Sequence, residues 1–183
     1  MALIRRLQEL DIEGIVALRR EALINEPEAF SASPGSDHGQ DIEFLRRTLN
    51  EPTTQAIFGA FDPDLLAMVG VYREKGEKLA HKAGVWGMYV RREHRGRGFG
   101  AALLDMAVQF ARSMPGVTHL HLGVSESALA ARSLYERAGF HAWGTAPADL
   151  QVNGHLVDVH YMVLLLGESQ GEAAPRAKEA AGP

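Results

Sequence analysis

The sequence predicts an α/β fold in which one central sheet of about seven strands carries helices on both faces. Apolar runs typical of strands are interleaved with segments whose apolar residues repeat at helical spacing. The chain has 183 residues, which is enough for one ordinary domain and short for two. Hydrophobic residues make up 46% and charged residues 23%, a globular composition that can fill a core. One sheet covered on both faces is the simplest way to bury all of these segments.

The beginning of the chain is predicted to form a short strand and two helices. Residues 3–7 have the pattern of a strand, and Asp11 is expected to cap the helix that follows. That helix ends before Pro27, because a proline disfavours helical conformation at the residue before it. Residues 31–39 are rich in Ser, Gly and Pro and indicate a loop, after which residues 41–49 form the second helix.

Three strands and a glycine-rich turn are predicted in the middle of the chain. Residues 55–61 and 66–72 are apolar runs on either side of a short acidic segment containing Pro63, which is typical of a hairpin. A third strand covers residues 85–90. The turn over residues 95–100 then opens an amphipathic helix.

The last part of the chain is predicted to form a strand, a helix and two final strands. Residues 120–124 alternate between apolar and polar side chains, as a half-buried strand does. The last two strands cover residues 140–145 and 156–166. The pair Asn153-Gly154 between them is typical of a type I′ turn.

Charge and composition narrow the classes of function. The chain has 19 Lys and Arg against 23 Asp and Glu, a net charge of -4, which disfavours nucleic acids and anionic membranes as partners. It has no cysteine, which excludes disulfides, thiolate metal sites and cysteine nucleophiles. No metal site is predicted, because His119 and His121 lack a third ligand nearby. The sequence has no signal-peptide pattern and no apolar stretch of ~20 residues, so we expect a cytoplasmic protein, with a homodimer left open.

The turn Arg95-Gly96-Arg97-Gly98-Phe99-Gly100 is the most informative segment. Backbone amides at the start of a helix lack partners and, together with the helix dipole, favour an anion. Glycines let the backbone approach that anion, and two arginines add positive charge. The sequence therefore predicts a pyrophosphate site, with glycines that merely make a tight turn as the alternative. A Rossmann dinucleotide turn is disfavoured, because the spacing is Gly-x-Gly-x-Gly and no acid lies ~20 residues downstream.

Residues 89–104, which contain this turn, resemble the acetyl-coenzyme A motif of the GNAT superfamily of N-acetyltransferases. Arg95, Gly98 and Gly100 match the family pattern of Arg or Gln, two residues, Gly, one residue, then Gly or Ala. A second family signature, Leu-Tyr-x-x-x-Gly-Phe, matches residues 134–140. The resemblance implies a mixed central sheet in which the strand before the phosphate turn carries a bulge and splays from the next strand.

We therefore expect an acetyltransferase domain over residues 1–166. Residues 167–183 contain Ala, Glu, Gly and Pro without periodicity and are expected to form a disordered tail. One departure from the family pattern is Ala128, where many members carry Asn. A polar contact to the cofactor is then either missing or supplied by Ser127, which is also expected to cap the next helix.

The resemblance implies acetyl-coenzyme A (acetyl-CoA) as the cosubstrate. Its pantetheine arm would lie in the gap between residues 86–90 and residues 120–124, bonded to the backbone of the first strand. An N–H group of that strand would polarise the thioester carbonyl, as an oxyanion hole does. The residues that the resemblance assigns to acetyl-CoA are Met88, Tyr89, Val90, Arg95, Gly96, Arg97, Gly98, Phe99, Gly100, Ala101 and Ser127.

The resemblance also implies that a primary amine attacks the thioester directly in a ternary complex. Tyr135 matches the general-acid tyrosine of the family. Its ordinary pKa near ~10 keeps the phenol protonated at neutral pH, so it can donate to the leaving thiolate. The alternative is that Tyr135 is only a core aromatic, since it lies on the apolar face of its helix.

No single residue is predicted to be the general base. Glu21 lies on the helix that borders the acceptor site in the family, although a solvated glutamate is the preferred interpretation. His121 lies on the strand beyond the gap and either accepts a proton or packs beneath a helix. His160 faces either the acceptor or the solvent. Many family members move the proton through a chain of waters, which is our default expectation.

Three further residues bear on the acceptor. Arg19 falls on an otherwise apolar stripe, where it either binds an acceptor carboxylate or extends to solvent at the edge of the stripe, the interpretation we prefer. Trp86 and Met88 share one strand face at period two and are expected to be core residues. The acidic balance favours a cationic acceptor, but the acceptor itself is not predicted.

Two other functions are left open by the sequence. A non-catalytic module that binds acetyl-CoA as a sensor or scaffold would keep the same fold, and Ala128 favours it whereas Tyr135 favours the enzyme. A nicotinamide-dependent oxidoreductase is disfavoured by the spacing of the glycines.

Overall fold

The computed structural model describes residues 2–167 and shows one seven-stranded sheet with two helices on each face. Apart from Gly167, the predicted tail lies outside the described residues. The strands are β1 Leu3–Arg6, β2 Gln55–Phe61, β3 Leu65–Arg73, β4 Lys82–Val90, β5 His119–Ser125, β6 His141–Val152 and β7 His155–Leu165. The helices are α1 Ile12–Asn25, α2 Ile42–Asn50, α3 Phe99–Ser113 and α4 Leu129–Arg137.

The strand order is β1-β2-β3-β4-β5-β7-β6, and β4 with β5 is the parallel pair among antiparallel neighbours. Two parallel neighbours need a crossover connection, and α3 supplies it. The predicted class, a mixed sheet with helices on both faces, is confirmed. Of the four helices in the described part of the chain, none is long and apolar enough to cross a membrane.

The parallel pair of strands separates soon after it begins. β4 pairs with β5 at Lys82↔His119, Ala83↔Leu120 and Gly84↔His121. Beyond these positions β4 continues along β3 while β5 continues along β7. The predicted splayed pair is therefore confirmed, and it leaves a gap in the middle of the sheet.

Two apolar clusters cover the two faces. The first packs α3 and α4 against the sheet and includes Leu103, Leu120 and Met162. The second packs α1 and α2 against the opposite face and includes Ile15 and Met68. The faces are named below by their helices, the α3/α4 face and the α1/α2 face.

A β-bulge in β4 overturns one prediction. Gly70 pairs with Trp86 and Met68 pairs with Tyr89, so β4 has one extra residue at this point. Gly87 absorbs the extra residue with φ of 64°. Trp86 consequently packs on the α1/α2 face and Met88 on the α3/α4 face. The prediction that these two side chains share a face is wrong, because a bulge shifts the alternation by one residue.

Two predicted helix caps are also wrong. The Asp11 carboxylate accepts hydrogen bonds from the Arg5 guanidinium at 2.7 and 2.8 Å and from the Gln8 amide at 2.8 Å, and none from α1. Ser127 lies one residue before the position that opens α4, which is Ala128. Both side chains instead form hydrogen bonds with residues that precede their helices, Asp11 with Arg5 and Gln8 and Ser127 with Ser125.

The β6–β7 hairpin is longer than predicted. β6 continues to Val152, past a register irregularity between Ala146 and Leu150. The predicted turn is in place, since Asn153 and Gly154 have φ of 50° and 84° and a type I′ turn needs two positive φ values.

Candidate active site

The turn before α3 presents a row of free backbone donors. Gly96 and Gly98 have φ of 76° and 85°, a conformation that is strained for residues with a Cβ. Gly98 occupies the capping position of α3, and no side chain of the described residues caps this helix. Within residues 2–167, the amides of residues 96–101 donate no hydrogen bond. The helix dipole and these donors together make the turn suitable for an anion.

Both arginines of the turn are held by carboxylates. Arg95 donates to Glu26 at 2.8 Å and to the Val90 carbonyl at 3.0 Å, and Arg97 donates to Asp62 at 3.0 Å. Their side chains are about half exposed, and ion pairs at such positions contribute little to stability. The two guanidinium groups are thus kept beside the turn in contacts that an incoming anion can replace.

Three of the predicted cofactor residues lie on the part of β4 that has left β5. The Met88 and Val90 side chains pack on the α3/α4 face, where the turn also lies. Tyr89 is buried on the α1/α2 face and donates from its hydroxyl to Glu21 at 3.1 Å. Only the backbone of Tyr89 is therefore placed along the gap.

The helix α4 lies close to the turn. A Cβ at Gly100 would come within 3.3 Å of the Leu134 side chain, so α3 and α4 approach each other there. Ser127, just before α4, exchanges a hydrogen bond of 2.9 Å with the hydroxyl of the buried Ser125. A hydroxyl pair thus occupies this loop, next to the position where Ala128 replaces a family asparagine.

Tyr135 is almost entirely buried in the α3/α4 cluster. It is 6% exposed, and its ring meets Phe140 edge to face at 5.9 Å between centroids. Burial raises the pKa of Tyr135 to about 12, because the charged phenolate is poorly solvated there. Its cluster also contains Phe99 of α3 and Leu122 of β5. Tyr135 is therefore a core aromatic whose phenol stays protonated at neutral pH.

Arg19 is buried, contrary to the preferred prediction. Its side chain is 6% exposed, and it forms an ion pair with Asp37, whose side chain is also 6% exposed. The Arg19 Nε and Nη2 atoms donate to the two Asp37 oxygens at 2.8 and 3.1 Å. The guanidinium carbon lies 4.6 Å from the centroid of the Phe30 ring and 5.9 Å from that of Trp86. Extension to solvent at the stripe edge is wrong, because Asp37 compensates the charge inside the protein.

Glu21 is not the solvated glutamate that the sequence favoured. One of its oxygens accepts from the Tyr89 hydroxyl at 3.1 Å and the other from Arg91 at 3.0 Å. Burial, more than Glu21 itself, raises the pKa of Tyr89. Glu21 thus links α1 to the end of β4 through both of its carboxylate oxygens.

The two candidate histidines lie on opposite faces of the sheet. His121, on the α1/α2 face, stacks on His119 at 6.1 Å between ring centroids, and its buried Nε2 has no partner among the described residues. Burial and the nearby Lys82 lower the pKa of His121. His160 bonds to the Thr145 hydroxyl at 2.9 Å and lies on the α3/α4 face, since it pairs with Val124. The structure therefore does not bring His160 together with Arg19, Glu21 or His121.

Some residues around the site were not predicted from the sequence. Asp37 and Phe30 come from the α1–α2 connection, and Trp86 reaches Arg19 only because of the bulge in β4. In the sequence, Asp37 is one acid in a polar loop and carries no signal. Among the described residues, no group of three or more His, Asp or Glu side chains could hold a metal ion.

Comparisons with known proteins agree with this geometry. Residues 17–140 match the Acetyltransferase (GNAT) family. No sequence among the curated proteins matches the chain. Similar solved structures include a GNAT-family acetyltransferase from Streptococcus pneumoniae, with a TM-score of 0.80, 22% identity and coverage of 90% of this chain and 99% of that one.

Two further structures show the same fold. A Salmonella typhimurium protein described as an acetyltransferase, solved with its cofactor acetyl-CoA, has a TM-score of 0.80 and 20% identity over 97% of this chain and 99% of its own. The ribosomal-protein-alanine N-acetyltransferase of Brucella melitensis has a TM-score of 0.77 and 22% identity over 89% and 99%. With the family match extending over most of the domain, the chain belongs to the GNAT family of acetyltransferases.

Proposed function

We propose that this protein is an N-acetyltransferase that moves an acetyl group from acetyl-CoA to a primary amine while both substrates are bound. The observation that carries the proposal is the row of free amides over residues 96–101, beside the point where β4 leaves β5. Convergent amides suit a diphosphate, and a gap between strands suits an extended arm. Acetyl-CoA, the donor of the family, has both parts.

The turn and β4 would share the binding of acetyl-CoA. The amides of residues 96–101 bind the pyrophosphate, and Arg95 and Arg97 exchange their carboxylate partners for phosphate oxygens. The β4 backbone from Met88 to Val90, which has no partner strand on the β5 side, binds the pantetheine arm. Ser127 supplies the polar contact that Ala128 lacks.

Acetyl-CoA contributes an activated thioester to the reaction. The amine nitrogen forms a bond to the acyl carbon, the carbon–sulfur bond breaks, and one proton passes in net terms from nitrogen to sulfur. Tyr135 is the proposed donor to the sulfur. The pKa of Tyr135 is about 12. A thiol ordinarily has a pKa near ~8.5, so full proton transfer to a free thiolate would be uphill. The phenol therefore keeps its proton and donates a hydrogen bond to the sulfur while the carbon–sulfur bond weakens. The proton that the thiolate finally takes up comes from the amine nitrogen.

A chain of waters is proposed to remove the proton from the amine. Glu21 is engaged by Arg91 and Tyr89, and His160 lies on the other face of the sheet from Glu21. His121 is the side chain that could replace the waters, because its lowered pKa keeps it neutral at pH 7. The acceptor does not follow from the structural neighbours, since identities near 20% establish only the fold.

A binding assay and a thiol-release assay test the proposal together. Acetyl-CoA at 100 times its Kd is expected to raise the melting temperature by about 5–10 °C, whereas a nicotinamide dinucleotide has no effect. Release of coenzyme A thiol is then measured with a panel of amines, and at least one amine is expected to be acetylated. Binding without release for any amine would support the non-catalytic module instead. Tight binding of the nicotinamide dinucleotide would revive the oxidoreductase.

A further inference from the structure

Arg19 leaves one nitrogen unused inside the protein. Asp37 accepts hydrogen bonds from the Nε and Nη2 atoms, and the rings of Phe30 and Trp86 lie within cation–π distance of the guanidinium. The Nη1 atom is buried and has no hydrogen-bond partner among the described residues. A buried donor without a partner carries a large desolvation penalty, and one on a charged group carries more. Because the guanidinium is planar, the side-on pairing of Nε and Nη2 with Asp37 leaves Nη1 directed away from that carboxylate.

The unused nitrogen lies at the β4 bulge. Arg19 Nη1 is 3.7 Å from the position that a Cβ at Gly87 would take, and the methyl group of Met68 is 3.8 Å from the same position. Gly87 immediately precedes Met88, where the proposed pantetheine path begins. The nitrogen is therefore on the α1/α2 side of the strand whose other side faces α3 and the phosphate-binding turn.

The charge of the site indicates what the nitrogen would bind. Asp37 already balances the guanidinium, so Nη1 does not require an anion, but it does require an oxygen acceptor. In the proposed complex the pantetheine arm runs from the turn along Val90 to Met88, which places the thioester end beside the bulge. An acceptor amine must then come to the same bulge. An oxygen on the carbon next to the amine-bearing carbon would then meet Nη1, whereas an alkylamine or polyamine would leave Nη1 unpaired and buried.

We infer that the acceptor is an α-aminoacyl compound, whose carbonyl oxygen accepts a hydrogen bond from Arg19 Nη1. Free amino acids, amino-acid amides and peptide N-termini all have this group, and the inference rests on the proposed N-acetyltransferase function. Arg19 is thereby a residue that determines specificity. Asp37, Phe30 and Trp86 position it, and Gly39 lets the loop close over it, because a Cβ at Gly39 would lie 3.1 Å from Arg19 Nε.

A panel of acceptors on the wild-type protein tests the inference without any variant. The panel contains free amino acids, the corresponding amides and dipeptides with several side chains. Alkylamines and polyamines are the carbonyl-free members of the panel. A further member, 2-fluoroethylamine, has an amine of lowered basicity and no carbonyl, so it separates the effect of basicity from that of the carbonyl. At least one α-aminoacyl compound should exceed every carbonyl-free amine in kcat/KM by about 10- to 100-fold, the range of one hydrogen bond to a charged donor. The ratio of kcat/KM among the free amino acid, its amide and the dipeptide identifies whether the carbonyl comes from a carboxylate, an amide or a peptide bond.

The variant Arg19→Lys keeps a cation for Asp37 but removes the nitrogen at the bulge. The preference for α-aminoacyl compounds should fall by about 10-fold or more, with the KM for acetyl-CoA unchanged. Arg20→Lys is the matched control, since Arg20 is the exposed neighbour on the same helix, and it should leave the preference intact. An equal loss for all acceptors in Arg19→Lys would overturn the inference in favour of a contact to the thioester. Acetylation of carbonyl-free amines alone would overturn it while the proposed function stands, and acetylation of no amine would remove both.

Discussion

At the scale of single residues, the site uses burial to fix protonation states and donors. Tyr135 is held neutral by burial alone, since no charged group contributes to its raised pKa. Arg19 is buried to a similar extent, and Asp37 balances its charge inside the protein.

Replacing Tyr135 by Phe should separate its two roles. The ring would still pack against Phe140, so the fold and the binding of acetyl-CoA should be retained. The loss of the donor should lower kcat by about 100-fold or more at pH 7 to 8, the usual size of an acid–base contribution. Steady-state kinetics measure the change in kcat, and thermal melting shows whether the fold is retained. Tyr72→Phe is the control, because the Tyr72 hydroxyl donates to Glu74 and Tyr72 is not part of the cluster around Tyr135. Unchanged turnover in Tyr135→Phe would remove Tyr135 from the mechanism.

The same phenol should make stability depend on pH in alkaline solution. The pKa of Tyr135 is about 12 in the folded protein and ordinarily 10.0, so folding favours the protonated form. Its contribution is complete below pH 10 and is lost as the pH rises toward 12, because the unfolded chain ionises first. The loss is about 2–3 kcal/mol over this window. Urea unfolding at pH 9 and pH 11 measures the free energy of unfolding. Its decrease between the two pH values should be smaller in Tyr135→Phe than in the wild type, and equal decreases would contradict the prediction.

At the scale of elements, the start of α3 has the backbone conformation on which the proposed phosphate site depends. Gly96 and Gly98 have positive φ, and a Cβ at either position would meet no described atom within 4 Å. The amides of residues 96–101 in the same turn donate no hydrogen bond within the described residues. Substitutions there should therefore affect ligand binding more than stability.

Gly98→Ala should weaken acetyl-CoA binding by at least 10-fold. The left-handed backbone costs alanine about 1 kcal/mol, which lowers the melting temperature by about 2–4 °C. The added methyl group would also stand where the phosphates approach. Gly116→Ala is a matched control, because Gly116 has φ of 75° with only an ordinary contact near its Cβ, at the far end of α3. Gly116→Ala should lose the same stability as Gly98→Ala. Its affinity for acetyl-CoA, measured by calorimetry, should be unchanged. Equal affinities for the two variants would count against the turn as the phosphate site.

The elements also show what the sequence could and could not predict. Apolar periodicity, the glycine turn and the second motif over residues 134–140 are local patterns, and together they were sufficient for the sheet, the four helices and the family. The bulge at Gly87 depends on pairing with β3, so the expected alternation of Trp86 and Met88 failed. The burial of Arg19 depends on Asp37, a residue 18 positions away in a loop without periodicity. Both of these missed features are contacts between segments distant in the sequence, which local patterns do not encode.

At the scale of the whole molecule, the sheet consists of two parts that meet along a short seam. Strands β1–β4 form one part and β5, β7 and β6 the other. Among the described residues, the ladder between them runs only from Lys82↔His119 to Gly84↔His121. The gap that follows this seam is the proposed path of pantetheine, so the seam sets how far the two parts separate.

Titratable groups crowd this seam. His119 stacks on His121 and meets the ring of His81 edge to face at 5.5 Å between centroids. Burial first, and then the neighbouring His81 and Lys82, lowers the pKa of His119. Burial and then Lys82 lower the pKa of His121, which Glu74 opposes in part. The folded protein therefore favours the neutral forms of both histidines.

Acid should consequently weaken the seam. The unfolded chain takes up protons on these histidines as the pH falls below about 6.5, whereas the folded chain takes up fewer because their pKa is lowered there. The stabilisation is therefore present above that pH and is lost below it. Melting temperatures between pH 7.5 and 5 should fall less steeply in His121→Gln than in the wild type. His155→Gln, in the exposed β6–β7 hairpin, should follow the wild-type curve. Because the seam borders the gap, the affinity for acetyl-CoA in the wild type should fall over the same range and be less sensitive to pH in His121→Gln. Identical pH curves for all three proteins would show that the histidine stack does not govern the joining of the two parts.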